Sequence, residues 1–430
     1  MSSHASSDTP PPRVVILSTY YFPVLGGVES HARSLAAILR DRGADVWVLT
    51  KRMSAETPDR EVVDDVPVVR VGPRGPRRGG AKWLMIPALV RALVRWRNRY
   101  DVVVCPDFRG VGLAALFARM LTGRPVVFEA ATPGAVTCAN WDETLVRSGV
   151  DPASRLGRAL KWPGRAAYGA ADAYACISRE IEREVAETWG PSLATFLPYA
   201  VDLAAFQPPT PAQRARARDA LGLATDTKAV AFIGRLSEEK GIVDLMHAWD
   251  DVRHDNATLL VVGPEMTGHP LDAGPTVRAM AERMLPDRVR LLGPARDVRP
   301  FLSAADVFVQ PSHYEALGLS AVEALATGLP VVASRVGGLG EFLEHERNAL
   351  LCPPRDPAAL SVAISRVLEE PSLAVALSLE GRRTAERLFA QERIADRWVA
   401  LLGGLVQLLL SALGESDIVG AVAETAAILL

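Results

Sequence analysis

Two open α/β domains in tandem are what this chain's sequence predicts, and three observations carry that prediction. Short apolar, β-branched runs recur along it, each followed by a loop and then a segment of helical periodicity. The rhythm stops at a proline-rich stretch near residue 206 and starts afresh near residue 226. The 430 residues, 49% hydrophobic and 23% charged, supply more than one core and exclude disorder for the bulk of the chain.

The elements follow in order. A polar, proline-rich leader over residues 1–12 reads as disordered and carries no signal peptide. Val14–Ser18 is a strand, and a helix follows with Val28, Ala32, Leu35, Ala36 and Leu39 on one face, until Gly43 stops it. Val46–Leu49 completes a βαβ unit with buried parallel strands. Further strands are expected at Val102–Cys105, Val126–Phe128 and Ala173–Ile177, so a first domain spans 13–205. Residues 206–225 read as a linker running into a short helix, because prolines cannot join a sheet. A second domain spans 226–385, with strands at Ala229–Ile233, Thr258–Val262, Val289–Leu292, Val307–Gln310 and Leu329–Ala333. Ligands of such sheets bind at the carboxyl ends of strands, so a cleft between two facing sheets is the default site.

Composition narrows the function. Residues 1–200 hold 26 Lys+Arg against 20 Asp+Glu, a net +6; residues 201–430 hold 22 against 30, a net −8. That is too mild for a nucleic-acid protein and compatible with a phosphate-rich substrate. Cys105, Cys138, Cys176 and Cys352 are scattered, without CxxC or a Cys/His cluster. They make neither a zinc site nor a disulfide framework, and fit a reducing cytoplasm. No run of 18 apolar residues is unbroken; the nearest, Trp398–Leu413, is interrupted by Gly403, Gly404 and Gln407.

Three groups of residues have the chemistry of a site. Gly26-Gly27-Val28-Glu29 lies between the first strand and helix, where glycines bring backbone N–H groups close to an anion; a tight turn explains them equally. Gly234-Arg235-Leu236, followed by Lys240-Gly241, places a guanidinium fork and a point charge after a strand, suited to a diphosphate. Glu315 ends a loop and Glu323 lies eight positions on, just over two helical turns. Carboxylates accept hydrogen bonds from paired sugar hydroxyls, and Gly318 leaves helix-start N–H groups for phosphate.

On these motifs, with Ala171-Asp172…Ile177-Ser178 and Ser334-Arg-Val-Gly-Gly-Leu-Gly-Glu341, the chain resembles the retaining glycosyltransferases of family 4 (glycosyl transferases group 1) over about residues 14–400. The resemblance implies a glycosyltransferase-B fold: two Rossmann-like domains facing across a cleft, and a carboxyl-terminal segment, 386–430, that crosses back to the first. It implies that Arg235 and Lys240 bind the donor diphosphate and stabilise its departure. Glu323 would take the ribose hydroxyls, and Glu315 the donor sugar. Ala316, Leu317 and Gly318 would offer backbone N–H groups, with Gly26 and Gly27 across the cleft. Arg235, Lys240 and Glu315 are thus the expected catalytic residues. The expected reaction moves a sugar from a UDP- or GDP-sugar to an acceptor hydroxyl, with retention, no metal and no cofactor. A sugar phosphorylase or epimerase on the same fold, or a catalytically weak nucleotide-sugar-binding protein, are the alternatives.

The chain departs from the family's pattern on the acceptor side. Many members have a histidine where Ala131 stands; Glu129 or Thr132 replaces it, or the leaving phosphate takes the proton. The asparagine and glycine that usually precede Val201-Asp202 are Tyr199 and Ala200. The acceptor itself, whether lipid, glycan or metabolite, is not legible. Between Val66 and Tyr100 lie nine Lys+Arg and no acid. Its latter part, Ala88–Tyr100, reads either as a sheet-covering helix with solvated arginines or, with Arg74, Arg77 and Arg78, as a contact with the anionic inner face of a membrane.

Overall fold

A computed structural model of the chain describes residues 11–414, apart from 24–26, 53–56, 74–84, 253, 255 and 286. The expected disordered leader and the apolar end of the tail, 421–430, therefore fall almost wholly outside the described residues, as do Gly26, Arg74, Arg77 and Arg78. The chain divides into two compact units. The first comprises residues up to Pro198 together with those from Glu392 onward; the second is Tyr199–Gln391.

The first unit is built on eight strands: β1 (Arg13–Ser18), β2 (Asp45–Lys51), β3 (Arg60–Val63), β4 (Val66–Val71), β5 (Val102–Cys105), β6 (Val126–Ala130), β7 (Ala173–Cys176) and β8 (Ala194–Phe196). Their order in the sheet is β3-β4-β2-β1-β5-β6-β7-β8, parallel except for the β3–β4 pair. The helices are α1 (Gly27–Asp41), α2 (Ile86–Arg95), α3 (Phe108–Thr122), α4 (Asp142–Arg147), α5 (Arg155–Tyr168) and α6 (Arg179–Trp189). Strands β5, β6 and β7 are buried at every position, as parallel strands covered on both faces must be. Polar ties fix the bottom of the sheet: Asp101 accepts from the Arg13 backbone and guanidinium, and Asp172 from Val126 N and Arg119.

The sequence reading missed β3, β4, β8 and the last strand of the second unit. Pro67 and Arg70 made β4 look like exposed basic chain. Arg70 is instead 2% exposed, its charge met by the carbonyls of Pro58 and Phe22 and by Glu61. For α2 the bland reading holds: Leu89 and Leu93 are fully buried, and Trp96 beyond its end packs on Trp47 with ring centroids 5.8 Å apart. Its apolar stripe is occupied by protein.

The second unit begins earlier than expected. Residues 206–225 are not a free linker, because they carry α7 (Pro211–Ala220), which packs into this unit. Thr210 and Gln213 form a reciprocal capping box at its start. Arg214 and Arg218 reach the carbonyls of Ala305 and Ala304, and both pair with Asp306. Beyond α7 come β9 (Lys228–Ile233), α8 (Ile242–Asp251), β10 (Ala257–Val262), α9 (Gly274–Ala281), β11 (Val289–Gly293), α10 (Arg299–Ala304), β12 (Val307–Gln310) and α11 (Leu319–Ala326). The unit ends with β13 (Val331–Ser334), α12 (Leu339–Phe342), β14 (Leu350–Cys352), α13 (Pro357–Glu369) and α14 (Pro371–Phe389). The six-stranded sheet runs β11-β10-β9-β12-β13-β14, all parallel. Its core gathers Trp249, Met246, Leu259, Val309 and Ile364. A large buried apolar side chain of this kind contributes about 2–3 kcal/mol.

The chain then returns to the first unit through α15 (Gln391–Gly414), where Arg42 bonds Asp396 and Arg397 reaches the Phe196 carbonyl. Gly403, Gly404 and Gln407, which interrupt the apolar run, lie within this continuous helix. Over Gln391–Ser411 it is long and apolar enough to cross a bilayer by length and composition alone. Its first half is nevertheless core, with Ile394, Ala395, Trp398 and Leu402 buried in the unit.

Candidate active site

The middle of the second sheet is its switch point: β10 and β11 are laid down on one side of β9, β12 and the later strands on the other, and β9 and β12 run side by side and parallel. Two loops meet there. The loop after β9 carries Gly234, Arg235 and Lys240; the loop after β12 carries Gln310, Ser312 and Glu315. A backbone bond from His313 N to Glu239 O, 2.8 Å, holds them together. Gly241, at φ +65°, permits the approach: a Cβ there would lie 1.9 Å from the Pro311 carbonyl oxygen.

Glu315 is the centre of the arrangement and is 6% exposed. One of its oxygens, Oε1, accepts from Lys240 Nζ (2.5 Å), Gln310 Nε2 (2.5 Å) and Ser312 Oγ (2.9 Å). Lys240 and Glu315, 75 positions apart in sequence, thus meet as a part-buried ion pair, with the carboxylate on the buried side. Such a pair persists where further hydrogen bonds meet the desolvated charge, which Gln310 and Ser312 do here.

The next residues form a shelf. Gly318 caps α11 at φ +86°, where a Cβ would meet Leu339 Cδ2 at 2.4 Å. Beneath it, the glycine pair of Ser334–Glu341 has a steric reason. Gly338 N donates to Glu315 O at 2.8 Å, and a Cβ on Gly337 or Gly338 would stand 2.1 Å from the carbonyl oxygens of Glu315 and Ala316 respectively. Ala316, Leu317 and Gly318 are thereby fixed at the start of an eight-residue helix, whose first N–H groups have no intrahelical partner.

Arg235 does not join the Glu315 cluster. It is half-exposed, with Glu239 at 3.5 Å and Met266 Sδ at 3.7 Å, so its guanidinium keeps most of its donors for a ligand. Glu323 stands on α11, five residues or about one and a half turns beyond Gly318, and its carboxylate has no hydrogen-bond partner among the described residues. Burial, with the nearby Asp297 charge, pushes its pKa up to about 7. Asp297 itself is held below the usual carboxylate range by Arg299. Gly27, the first residue of α1, belongs to the first unit.

Sequence reasoning passed over Gln310, Ser312, Asp297 and the His313–Asp244 pair at 2.6 Å. A polar residue closing the apolar strand Val307–Gln310 was the available signal for the first. In the first unit it left the role of Glu129 open. Glu129 is the penultimate residue of β6 and 1% exposed; its Oε2 lies 2.7 Å from Nε2 of His31 on α1, while Oε1 has no partner. Among the described residues no three His, Cys, Asp or Glu side chains cluster as metal ligands.

Two family models match the chain: "Glycosyl transferase 4-like domain" over residues 26–200 and "Glycosyl transferases group 1" over 227–370. D-inositol 3-phosphate glycosyltransferase of Geodermatophilus obscurus is 30% identical, the match covering 91% of this chain and 89% of the relative. Glycogen synthase of Mycobacterium tuberculosis is 29% identical over 84% and 87%. Among solved structures, sucrose-phosphate synthase from Thermosynechococcus elongatus superposes with a TM-score of 0.71 at 27% identity, over 93% of this chain and 100% of that one. Anabaena HepE, solved in complex with UDP and glucose, gives 0.71 at 21%, over 91% and 99%. With two parallel α/β units, a returning helix and these matches along nearly its whole length, the chain is a glycosyltransferase of the glycosyltransferase-B fold and belongs to family 4, the group 1 glycosyl transferases.

Proposed function

We propose that the chain transfers a hexose from a nucleotide-diphosphate sugar to an acceptor hydroxyl, with retention at the anomeric carbon and without a metal. The reading is carried by Glu315, a buried carboxylate gripped by Lys240, Gln310 and Ser312 beside a free helix start. In this scheme the diphosphate sits against Arg235, Lys240 and the N–H groups of Leu317 and Gly318. Lys240 has three donors, so it can turn one to phosphate while Gln310 and Ser312 still hold Glu315. Glu315 orients the sugar through a hydroxyl, and Glu323 accepts from the ribose. As the bond from the anomeric carbon to the diphosphate oxygen breaks, negative charge grows where two cations and a helix start are already in place. Preorganised charge of that kind is the usual large term in catalysis. The acceptor oxygen bonds the anomeric carbon on the same face, and its proton passes to the departing phosphate oxygen.

UDP is the first base to try, since Anabaena HepE was solved with UDP-glucose. A cytoplasmic site of action is part of the proposal: all four cysteines are buried free thiols, as a reducing compartment keeps them. The test is transfer from an α-linked nucleotide sugar in the presence of a chelator, with the product's anomeric configuration read by NMR. An α product is expected. A β product removes retention from the scheme, and activity only on restoring a divalent ion removes metal independence.

A further inference from the structure

Between α7 and α10 the second unit holds a cavity of about 460 Å³ that the sugar-transfer scheme does not use. Every residue lining it belongs to that unit, and none to the Glu315 cluster. Its volume is that of a small-molecule pocket. Ala217 and Pro300 give it an apolar lining, and its charges are the guanidiniums of Arg216 and Arg299 with the carboxylate of Asp297. Arg216 is exposed and has no carboxylate partner among the described residues. Gln213 accepts on Oε1 from the Thr210 backbone and hydroxyl, which leaves its amide N–H groups for a ligand. Arg299 forks onto Asp297, Nε to Oδ1 and a terminal nitrogen to Oδ2, both at 2.8 Å. The two side chains are 50% and 46% exposed, and a pair so exposed is weak enough for an incoming anion to exchange into.

We propose that this cavity is a regulatory site for a small phosphate ester of a sugar, held by Arg216 and Arg299, and that its arrival frees Asp297 and weakens nucleotide binding at Glu323. A phosphate monoester carries close to two negative charges at neutral pH, and its oxygens match the guanidinium fork. The sugar hydroxyls accept from Gln213 and donate to the freed carboxylate. Once Arg299 turns to the phosphate, the Asp297 charge near Glu323 is uncompensated. Burial, and then that same charge, already press the Glu323 carboxyl toward its protonated form. A protonated Glu323 is the poorer acceptor for ribose hydroxyls, so ester and nucleotide oppose each other, by the same factor in either direction. The coupling rests on Glu323 holding the ribose; the cavity and its ligand do not.

Titration calorimetry of the full chain with glucose 6-phosphate, inorganic phosphate and glucose tests the site with no nucleotide present. The ester should bind, more tightly than inorganic phosphate, and glucose alone should not. Arg216→Gln should weaken the ester about tenfold, the scale of one charged hydrogen bond, with the melting temperature unchanged because the side chain is exposed. Saturating ester should weaken the binding of UDP, or of whichever of GDP, ADP and TDP the chain takes, about fivefold. In Asp297→Asn, which has no charge to free, that factor should fall below about twofold. An ester that does not bind, or that binds Arg216→Gln as well as the parent, overturns the site. Ester binding that leaves nucleotide affinity unchanged overturns the coupling. A chain that binds the ester and none of the nucleotides refutes the donor scheme, and the coupling with it, while supporting the site.

Discussion

Each unit closes a central parallel strand region with a buried carboxylate, and the two are equipped differently. Glu315 in the second unit has three donors on one oxygen and a helix start beside it, on a loop whose backbone is shaped by four glycines. Glu129 in the first unit has one histidine, and its second oxygen is buried without a partner. The first arrangement carries more restraint than a core needs, and that excess is what supports the proposed site there. The second is a partly satisfied core pair, where position at a strand end alone does not identify a catalytic group.

The contrast between the glycines should give the largest effect. Gly241→Ala places a Cβ against the Pro311 carbonyl oxygen and should cost about 4 kcal/mol and the affinity for nucleotide. Gly123, at φ +67° with nothing within 4 Å, feels only the backbone strain. Gly123→Ala should cost about 1 kcal/mol, on the scale of a single left-handed residue. Denaturant midpoints of the two variants measure the difference; equal costs would mean that the two loops do not approach each other as closely as described.

The carboxylate pair comes next. His31→Ala strips Glu129 of the partner on its Oε2 and should destabilise the chain by about 3 kcal/mol, the range for breaking a buried pair. Glu129→Gln keeps a hydrogen bond to His31 and should cost less than about 1 kcal/mol, with transfer rates within about tenfold of the parent. A rate collapse in Glu129→Gln, without loss of stability, would make Glu129 the stand-in for the absent histidine.

The smallest effect is in pH. Glu323 titrates near 7 in the folded chain against about 4.5 unfolded, so the folded state holds the extra proton between those values. Stability therefore falls as pH rises from about 4.5 to 7 and is flat beyond. Glu323→Gln should remove that slope. Nucleotide binding should run the opposite way, weakening as pH drops below 7, because ribose hydroxyls donate best to the ionised form. A variant with an unchanged pH profile in both measurements would take Glu323 out of the site.

Most of this architecture was legible because buried parallel strands advertise themselves. Val102–Cys105 and Val307–Gln310 match β5 and β12 residue for residue. What escaped notice was structure whose polar side chains are used internally. Arg70 on β4 and Arg218 on α7 look like surface charges in sequence, and both are buried against backbone carbonyls. In the site, Lys240 and Glu315 were identified singly by residue type and motif. Their mutual bond, and the Gln310 and Ser312 that complete it, depend on strand order and could not be read from spacing.

The central claim is that the Glu315 cluster is a nucleotide-sugar site. Its most direct test is calorimetric titration of the chain, in chelator, with UDP-, GDP-, ADP- and TDP-sugars, repeated on Glu315→Ala. One nucleotide class should bind the parent chain and release its diphosphate slowly, and the variant should lose that turnover and the discrimination between sugars while keeping affinity for the nucleotide alone. No binding by any member of the set, or a variant that turns over donor like its parent, would contradict it.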